Sequence, residues 1–162
     1  YIDVLGDVML VRRLQPWASN AGKRLVRSPK VYVRDSGLVH ALLGLKSRDD
    51  VLAHPVAGGS WEGWVMENLL GAAPWGTQPS FYRTAGGAEI DLVLEMPNRH
   101  CWAIEIKRSR APTVSRGFHV GAQDIQATRR IVVHGGTDSF PMGSGVEAVP
   151  LHQLMAELAE LA

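Results

Sequence analysis

The fold is decided by residues 89–107, which read EIDLVLEMPNRHCWAIEIK. Apolar and polar side chains alternate through 89–95 and again through 101–107, which is the period of a strand with one buried face. The residues between the two runs include Pro and Asn, a combination typical of a turn. The sequence therefore predicts an antiparallel hairpin.

The turn decides which side chains meet across this hairpin. If it occupies 96–100, Glu95 faces Cys101 and Asp91 faces Glu105. Because side chains alternate, one face carries Glu89, Asp91, Val93, Glu95, Cys101, Ala103, Glu105 and Lys107. The other face carries Ile90, Leu92, Leu94, Trp102, Ile104 and Ile106. Carboxylates that face each other disfavour pairing by up to about 1 kcal/mol, so the two opposed acids need a compensating charge.

Two interpretations of the polar face stay open. In the first, the face is solvated and is helped by an ion pair between Glu89 and Lys107. In the second, Asp91 and Glu105 share a divalent cation, which requires hard oxygen ligands held a few ångströms apart. Small and apolar residues on the same face favour a covered surface over a wet one, and so favour the second interpretation slightly.

A helix predicted over residues 60–73 offers a third carboxylate if it packs on the polar face of the hairpin. Ser60 is a suitable N-cap, and Pro74 follows the last helical residue. At about 100° per residue, Glu62 lies in the middle of the apolar stripe, whereas Glu67 points away from it. A carboxylate on a buried face needs a partner or a metal ion. Alternatively, an acid in the first turn is favoured by the helix dipole, and both explanations stay open.

The flanking patterns place the hairpin in an α/β domain. Residues 1–35 predict a short helix and then two short strands, at 10–14 and 31–33, with a turn at 19–22 between them. The remaining elements are predicted as a helix after Asp35, a loop over 47–59, a strand over 80–84, a helix over 115–126, a strand over 130–133, a Gly-rich loop and a helix over 151–161. Strands interleaved with helices indicate a mixed β-sheet flanked by helices.

Composition excludes disordered, collagen-like and coiled-coil proteins. The 162 residues are 46% hydrophobic and 20% charged, which is the composition of a soluble globular domain. The net charge of +1 is too small to indicate a nucleic-acid partner. A single cysteine and no visible signal peptide indicate the reducing cytoplasm. No apolar run reaches the roughly 18 residues of a spanning helix, so no membrane partner is expected.

Four motifs, taken in order, resemble a known family. They are YVRDSGLVHALLG at 32–44, SWEGWVMENLL at 60–70, RTAGGAEIDLVLE at 83–95 and AIEIKRS at 103–109. Together they resemble the uncharacterised domain found carboxyl-terminal to the ATPase module of prokaryotic AAA+ ATPases, over nearly the whole chain. A helical Glu followed by Asp-x13-Glu-x-Lys is also similar to the PD-(D/E)XK nuclease superfamily, although Ile90 stands where the superfamily's namesake has Pro.

The resemblance implies a fold and a reaction. The fold is a restriction endonuclease-like domain at residues 36–162, preceded by the end of a winged-helix segment at residues 1–35. The reaction is metal-assisted hydrolysis of a phosphodiester. A start at Tyr1 is also what a piece of a longer polypeptide, with the ATPase module before it, would show.

The same resemblance implies a role for each site residue. Asp91 and Glu105 would bind Mg²⁺ or Mn²⁺, and Glu62 would complete the metal site directly or through water. Lys107 would orient or activate the attacking water. The arginines just past the site would hold the nucleic-acid backbone or lie on a solvated surface; they are Arg108, Arg110 and Arg116.

These observations leave two classes of function. One is a metal-dependent nuclease, or a DNA-binding domain derived from one, whose partners are DNA and the ATPase module. The other is a non-catalytic module that docks to the ATPase, regulates it or forms homo-oligomers. Metal-dependent DNA cleavage separates the two classes.

Overall fold

The computed structural model describes residues 1–17 and 25–161, so the predicted turn at 19–22 lies outside the described residues. In these ranges the helices are α1 (Ile2–Asp7), α2 (Ser36–Leu42), α3 (Arg48–Ala53), α4 (Val56–Ala72), α5 (Arg116–Asp124) and α6 (Leu151–Glu160). The strands are β1 (Val11–Pro16), β2 (Lys30–Val33), β3 (Gln78–Arg83), β4 (Glu89–Glu95), β5 (Cys101–Ile106), β6 (Arg129–His134), β7 (Phe140–Gly143) and β8 (Val146–Pro150).

The described strands form one mixed sheet, in the order β2-β1-β3-β4-β5-β6-β8-β7. Strands β1 and β3, β5 and β6, and β6 and β8 pair in parallel, and the other neighbours are antiparallel. The prediction of a mixed β-sheet flanked by helices is therefore confirmed. The winged-helix segment, the restriction endonuclease-like fold and the boundary after residue 35 stay predictions.

Helices cover both faces of the sheet and form two cores. On one face, α4 and α6 pack over residues that include Leu92, Leu94, Trp102, Ile104 and Ile106. On the other face, α5 packs over residues that include Ile90, Val93, Ala103 and Val132. The face that carries Val93, Ala103 and Glu105 is therefore covered by protein, as the small residues on it indicated. Among the described helices, none is both long and apolar enough to span a bilayer.

The central hairpin has the predicted register over most of its length. Glu95 pairs with Cys101, and the pairing continues without a shift to Leu92 with Ile104. Beyond that pair, β4 departs from simple alternation. Ile90 was expected on the same face as Leu92, but it packs under α5 with the opposite core, so that prediction is wrong. The register between β3 and β4 shifts between the pairs Ser80–Val93 and Tyr82–Ile90, so β4 holds one extra residue there, and Ile90 changes face.

The segment over 47–59, predicted as a loop, contains a helix. Ser47 and Asp50 form a capping box, in which each side chain accepts a hydrogen bond from the backbone N–H of the other residue. This reciprocal cap supplies partners for N–H groups that the first turn of a helix leaves free, and it begins α3. The spacing of Ser47 and Asp50 is the helix-start signal that the prediction of a loop overlooked.

Helix α4 starts at Val56, so the prediction of Ser60 as its N-cap is wrong. Residues 58–59 are both Gly, and their low helix propensity suggested a loop. Ala57, however, is only 9% exposed, and packing of this first turn outweighs the propensity of the two glycines.

Glu67 links α4 to the amino-terminal strands. Its carboxylate accepts hydrogen bonds from the guanidinium groups of Arg12 and Arg34, the latter at 2.9 Å. Burial opposes ionisation, but the two arginines outweigh it and hold the pKa of Glu67 below its ordinary value. Glu67 therefore lies in an ion-pair cluster. Because Arg12 pairs in register with Tyr32, Glu67 meets the same face of β1 and β2 as Glu62 does.

The Gly-rich segment near the carboxyl end, predicted as a loop, contains the hairpin of β7 and β8. Gly143, Ser144 and Gly145 all have positive φ, which allows a tight connection. Strand β8 lies beside β6 with Ala148 and Val149 buried. Short apolar runs separated by glycines do not distinguish a loop from such a hairpin.

Candidate functional site

The predicted acids come from elements that meet at one end of the β4–β5 hairpin. Glu62 lies on α4, Asp91 near the start of β4 and Glu105 near the end of β5. Because the two strands are antiparallel, the start of one adjoins the end of the other. Lys107 directly follows β5, so it lies at the same end.

Asp91 is the central acid of the site. Its Oδ2 accepts a hydrogen bond from the backbone N–H of Ile106 at 3.0 Å, and only 15% of its side chain is exposed. Burial, and then the nearby charge of Glu62, raise the pKa of Asp91 above its ordinary value. The charge of Asp91 also acts on Glu105, so Asp91 interacts electrostatically with both other acids.

Glu105 and Lys107 form a close pair beside Asp91. Glu105 is 6% exposed, and its Oε1 lies 2.6 Å from Lys107 Nζ. Burial, and then the charge of Asp91, raise the pKa of Glu105 to about 7. Burial lowers the pKa of Lys107, but the adjacent Glu105 carboxylate outweighs it and the pKa rises. A carboxyl group that titrates near neutral pH beside an ammonium group is suited to proton transfer or to charge stabilisation.

The carboxylate of Glu62 is held by two residues of β2. The hydroxyl of Tyr32 donates a hydrogen bond to Glu62 Oε1, and Lys30 Nζ lies 3.3 Å from the same oxygen. Burial, and then the hydrogen bond to Glu62, raise the pKa of Tyr32. Since α4 begins at Val56, Glu62 lies in the second turn and not the first. The helix-dipole explanation for Glu62 is therefore wrong, and the carboxylate is stabilised by direct partners.

Lys30 also contacts the acids of β4. Its Nζ lies 3.4 Å from Glu89 Oε1 and 3.6 Å from Asp91 Oδ1. Glu89 forms a second ion pair with Arg83 on β3. The predicted ion pair between Glu89 and Lys107 is therefore wrong, because each of these residues has a nearer partner of opposite charge.

The predicted metal ligands are neighbours that approach from two sides. Glu105 pairs in register with Val132, on the face under α5, whereas Glu62 reaches the site from α4 on the other face. Asp91 lies between them. The expectation that α4 packs on the polar face of the hairpin is therefore wrong, because its apolar residues pack on the face of Leu92 and Ile104. Within residues 1–17 and 25–161, no three His, Cys, Asp or Glu side chains form a group that could hold a metal ion. Binding of Mg²⁺ or Mn²⁺ by Asp91, Glu105 and Glu62 stays a prediction.

The three predicted nucleic-acid ligands lie on the surface around this end of the sheet. Arg108 and Arg110 are exposed in the segment after β5, and Arg116 is exposed as the first residue of α5. Arg116 also lines an open cleft of about 600 Å³ beside the turn at residues 84–88. Contact of these arginines with a phosphate backbone stays a prediction.

Sequence reasoning missed Lys30 and Tyr32. The signal that was available is the alternation in KVYV at 30–33, which places both side chains on one face of a strand. That pattern does not reveal which other strand or helix the face meets. The path of β2 beside β1 and against α4 was needed to bring Lys30 to Glu62.

Comparisons with known proteins identify the family. Residues 57–154, more than half of the chain, match a family described as a domain of unknown function, DUF4143. The chain belongs to the DUF4143 family. This family is known as a carboxyl-terminal domain of AAA-ATPase-like proteins. The amino-terminal residues 1–49 match a second domain of unknown function, DUF8612. The carboxylates of the site thus lie in the DUF4143 match, and Lys30 and Tyr32 lie in the other.

Relatives of this DUF4143 chain are longer proteins. Uncharacterized proteins of Mycobacterium tuberculosis and Mycobacterium bovis are each 43% identical to it over 156 residues. The aligned region is 96% of this chain and 35% of each relative, so the chain spans about a third of the length of the curated relatives it matches. No solved structure matches it significantly.

Proposed function

We propose that this chain is a metal-dependent nuclease domain that hydrolyses phosphodiester bonds. The observation that carries the proposal is the largely buried Asp91, which interacts electrostatically with Glu62 and with Glu105, and the ammonium of Lys107 at 2.6 Å from Glu105. Buried carboxyl groups with raised pKa values and a neighbouring ammonium group are characteristic of catalytic sites. A purely structural ion pair has no need of a second, repelling carboxylate.

The donor set is compatible with a divalent cation. Carboxylate oxygens are hard ligands, and Mg²⁺ keeps several waters, so the two carboxylates of Asp91 and Glu105 suffice as direct ligands. Burial raises the pKa of both carboxyl groups first, and the charges of Glu62 on Asp91 and of Asp91 on Glu105 raise them further; a nearby positive charge would oppose these effects. Glu62 would contribute through water. A bound divalent cation supplies Lewis-acid polarisation of a phosphoryl oxygen and a water of lowered pKa.

The remaining chemistry is assigned to Lys107 and the arginines. The Lys107 ammonium, held by Glu105, would orient the attacking water and stabilise the negative charge that develops on the phosphoryl group. Arg108, Arg110 and Arg116 would fix the substrate backbone without reading its sequence. The chain therefore supplies carboxylates for the cation, an ammonium group for the transition state and guanidinium groups for the substrate.

Cleavage of supercoiled plasmid and branched DNA, with Mn²⁺ or Mg²⁺ against EDTA, tests the proposal. We expect divalent-ion-dependent cleavage by the wild type and its loss in Asp91→Asn and Lys107→Met. Glu95→Gln is a matched control, because Glu95 is an exposed carboxylate on the same strand as Asp91. A wild-type chain that neither cleaves nor binds a divalent ion overturns the proposal. Salt-dependent DNA binding that survives Asp91→Asn, without cleavage, would identify a nuclease-derived DNA-binding domain instead.

A non-catalytic docking module is the second candidate, and α1 favours it. This helix has no buried residue, and its region exposes apolar side chains, including Val4 at 61%, Val8 at 58% and Met9 at 70%. Exposed apolar side chains in one region are typical of an interaction surface. The partner would be the ATPase module or a second copy of the chain. Light scattering of wild type and of Val4→Ser/Met9→Ser tests self-association through this surface.

A further inference from the structure

Lys30 occupies the centre of the acidic cluster. Its Nζ lies 3.3 Å from Glu62, 3.4 Å from Glu89 and 3.6 Å from Asp91. Its side chain is only 16% exposed, and the ammonium also lies 5.4 Å from the centre of the Phe81 ring. This ammonium group is therefore withdrawn from bulk water and faces oxygen atoms from three carboxylates.

Lys30 lies at similar distances from three carboxylates and forms no short ion pair with any one of them. Charge-assisted N–H···O bonds are usually about 2.7–2.9 Å long, and all three contacts of Lys30 are longer. An ammonium group has three donors, and here three carboxylates surround it. A position surrounded by carboxylate oxygens is the environment that a hard cation prefers.

The net charge of the site favours the presence of either Lys30 or a divalent cation, but not of both. The carboxylates are those of Glu62, Glu89, Asp91 and Glu105, and the basic groups in contact with them are those of Lys30, Arg83 and Lys107. With all of these ionised, one negative charge remains. A divalent cation added beside Lys30 would reverse that sign, whereas a divalent cation that displaces Lys30 would neutralise the cluster.

We propose that Lys30 is a built-in competitor of the divalent cation. Its ammonium group neutralises the acidic cluster when no ion is bound, and it leaves the cluster when an ion binds. This inference rests on the proposed function, because the carboxylates around Lys30 include Asp91 and Glu62 of the metal site proposed for the nuclease.

The location of Lys30 makes this competition a form of regulation. Lys30 lies on β2, in the stretch that matches the amino-terminal family, whereas the carboxylates lie in the DUF4143 match. Coupling between two events is reciprocal. Any event that moves β2 away from the cluster would therefore strengthen ion binding by the same factor by which the ion weakens the docking of β2.

Titration calorimetry of Mn²⁺ into the full chain tests the competition. We expect Lys30→Gln to bind Mn²⁺ at least about tenfold more tightly than wild type, since it removes a unit charge from within a few ångströms of the ligands. Lys46→Gln is the matched control, because Lys46 is exposed. Its affinity is expected to stay within about twofold of wild type, as screening predicts for a distant exposed charge.

Amine acylation followed by mass spectrometry gives a second readout on the unsubstituted chain, in case Lys30→Gln does not fold. We expect Lys30 to react several times more slowly than Lys46 without metal, and its rate to rise several-fold with Mn²⁺. In Asp91→Asn, which lacks one ligand, Mn²⁺ is expected to leave the rate at Lys30 unchanged.

The outcomes separate the two proposals. Mn²⁺ binding by the wild type, with equal or weaker binding by Lys30→Gln and no change in acylation of Lys30, overturns the competition and leaves the nuclease proposal intact. Absence of Mn²⁺ binding by both wild type and Lys30→Gln overturns both. Mn²⁺ binding that is detected only in Lys30→Gln supports the competition directly.

Discussion

Replacing Glu105 by Gln is expected to stabilise the folded chain at alkaline pH. Burial and the charge of Asp91 raise the pKa of Glu105 from its ordinary 4.5 to about 7. Each tenfold change in an acid constant is worth about 1.4 kcal/mol, so the ionised carboxylate destabilises the folded state by about 3 kcal/mol well above pH 7. The side chain is only 7% exposed, so little of this energy is screened by water.

The sign of this effect depends on pH. Below pH 4.5 the carboxyl group is protonated in both states and contributes nothing. Between 4.5 and about 7 the folded chain retains a proton that the unfolded chain has lost, so stability falls as the pH rises. Above that window the full destabilisation is present. Glu105→Gln has nearly the same shape and no charge, so it should remove this dependence.

Urea denaturation at pH 5 and at pH 8, followed by tryptophan fluorescence, measures the difference. We expect Glu105→Gln to gain about 1–3 kcal/mol over wild type at pH 8 and less than about 1 kcal/mol at pH 5. Glu95→Gln, at an exposed position of the same hairpin, serves as control. A variant that is less stable than wild type at pH 8, or equally shifted at both pH values, would refute the reasoning. The predicted gain is what a functional residue kept at the expense of stability should show.

Three other changes have defined outcomes. Saturating Mn²⁺ should raise the melting temperature of the wild type and leave that of Asp91→Asn unchanged, as measured by differential scanning fluorimetry. Glu67→Gln removes the charged partner that two arginines share and should cost about 1–3 kcal/mol of unfolding free energy in urea, the cost of leaving partly buried polar groups without their partner. Gly117→Ala would place a Cβ 2.5 Å from the carbonyl oxygen of Gly87, so α5 must shift; a loss of about 1–3 kcal/mol is expected from thermal unfolding.

The predictions that the structure confirms rest on local patterns. The register that pairs Glu95 with Cys101 follows from strict alternation and from the length of the turn, both of which act between residues close in sequence. The same holds for the start of α2, where the side chain of Asp35 accepts hydrogen bonds from the backbone N–H groups of Gly37 and Leu38.

The predictions that failed involve local signals outweighed by packing. The pair of glycines at 58–59 suggested a loop, yet burial of the flanking turn extends α4 through it. The face of Ile90 followed from ideal alternation, but the distortion of the sheet near Asp91 reverses it. In both places the decisive contacts join segments that are distant along the chain, which periodicity does not report.

The sequence by itself determined the hairpin, the acids on it and the helical Glu62, because alternation and helical spacing assign each side chain to a face. Only the tertiary structure decided what compensates those acids. It brought Lys30 and Tyr32 of β2 to Glu62, and it placed Glu105 on the opposite face from α4. The physical reason is that a buried charge is stabilised by whatever group lies within a few ångströms of it, and that neighbour is set by how strands and helices pack.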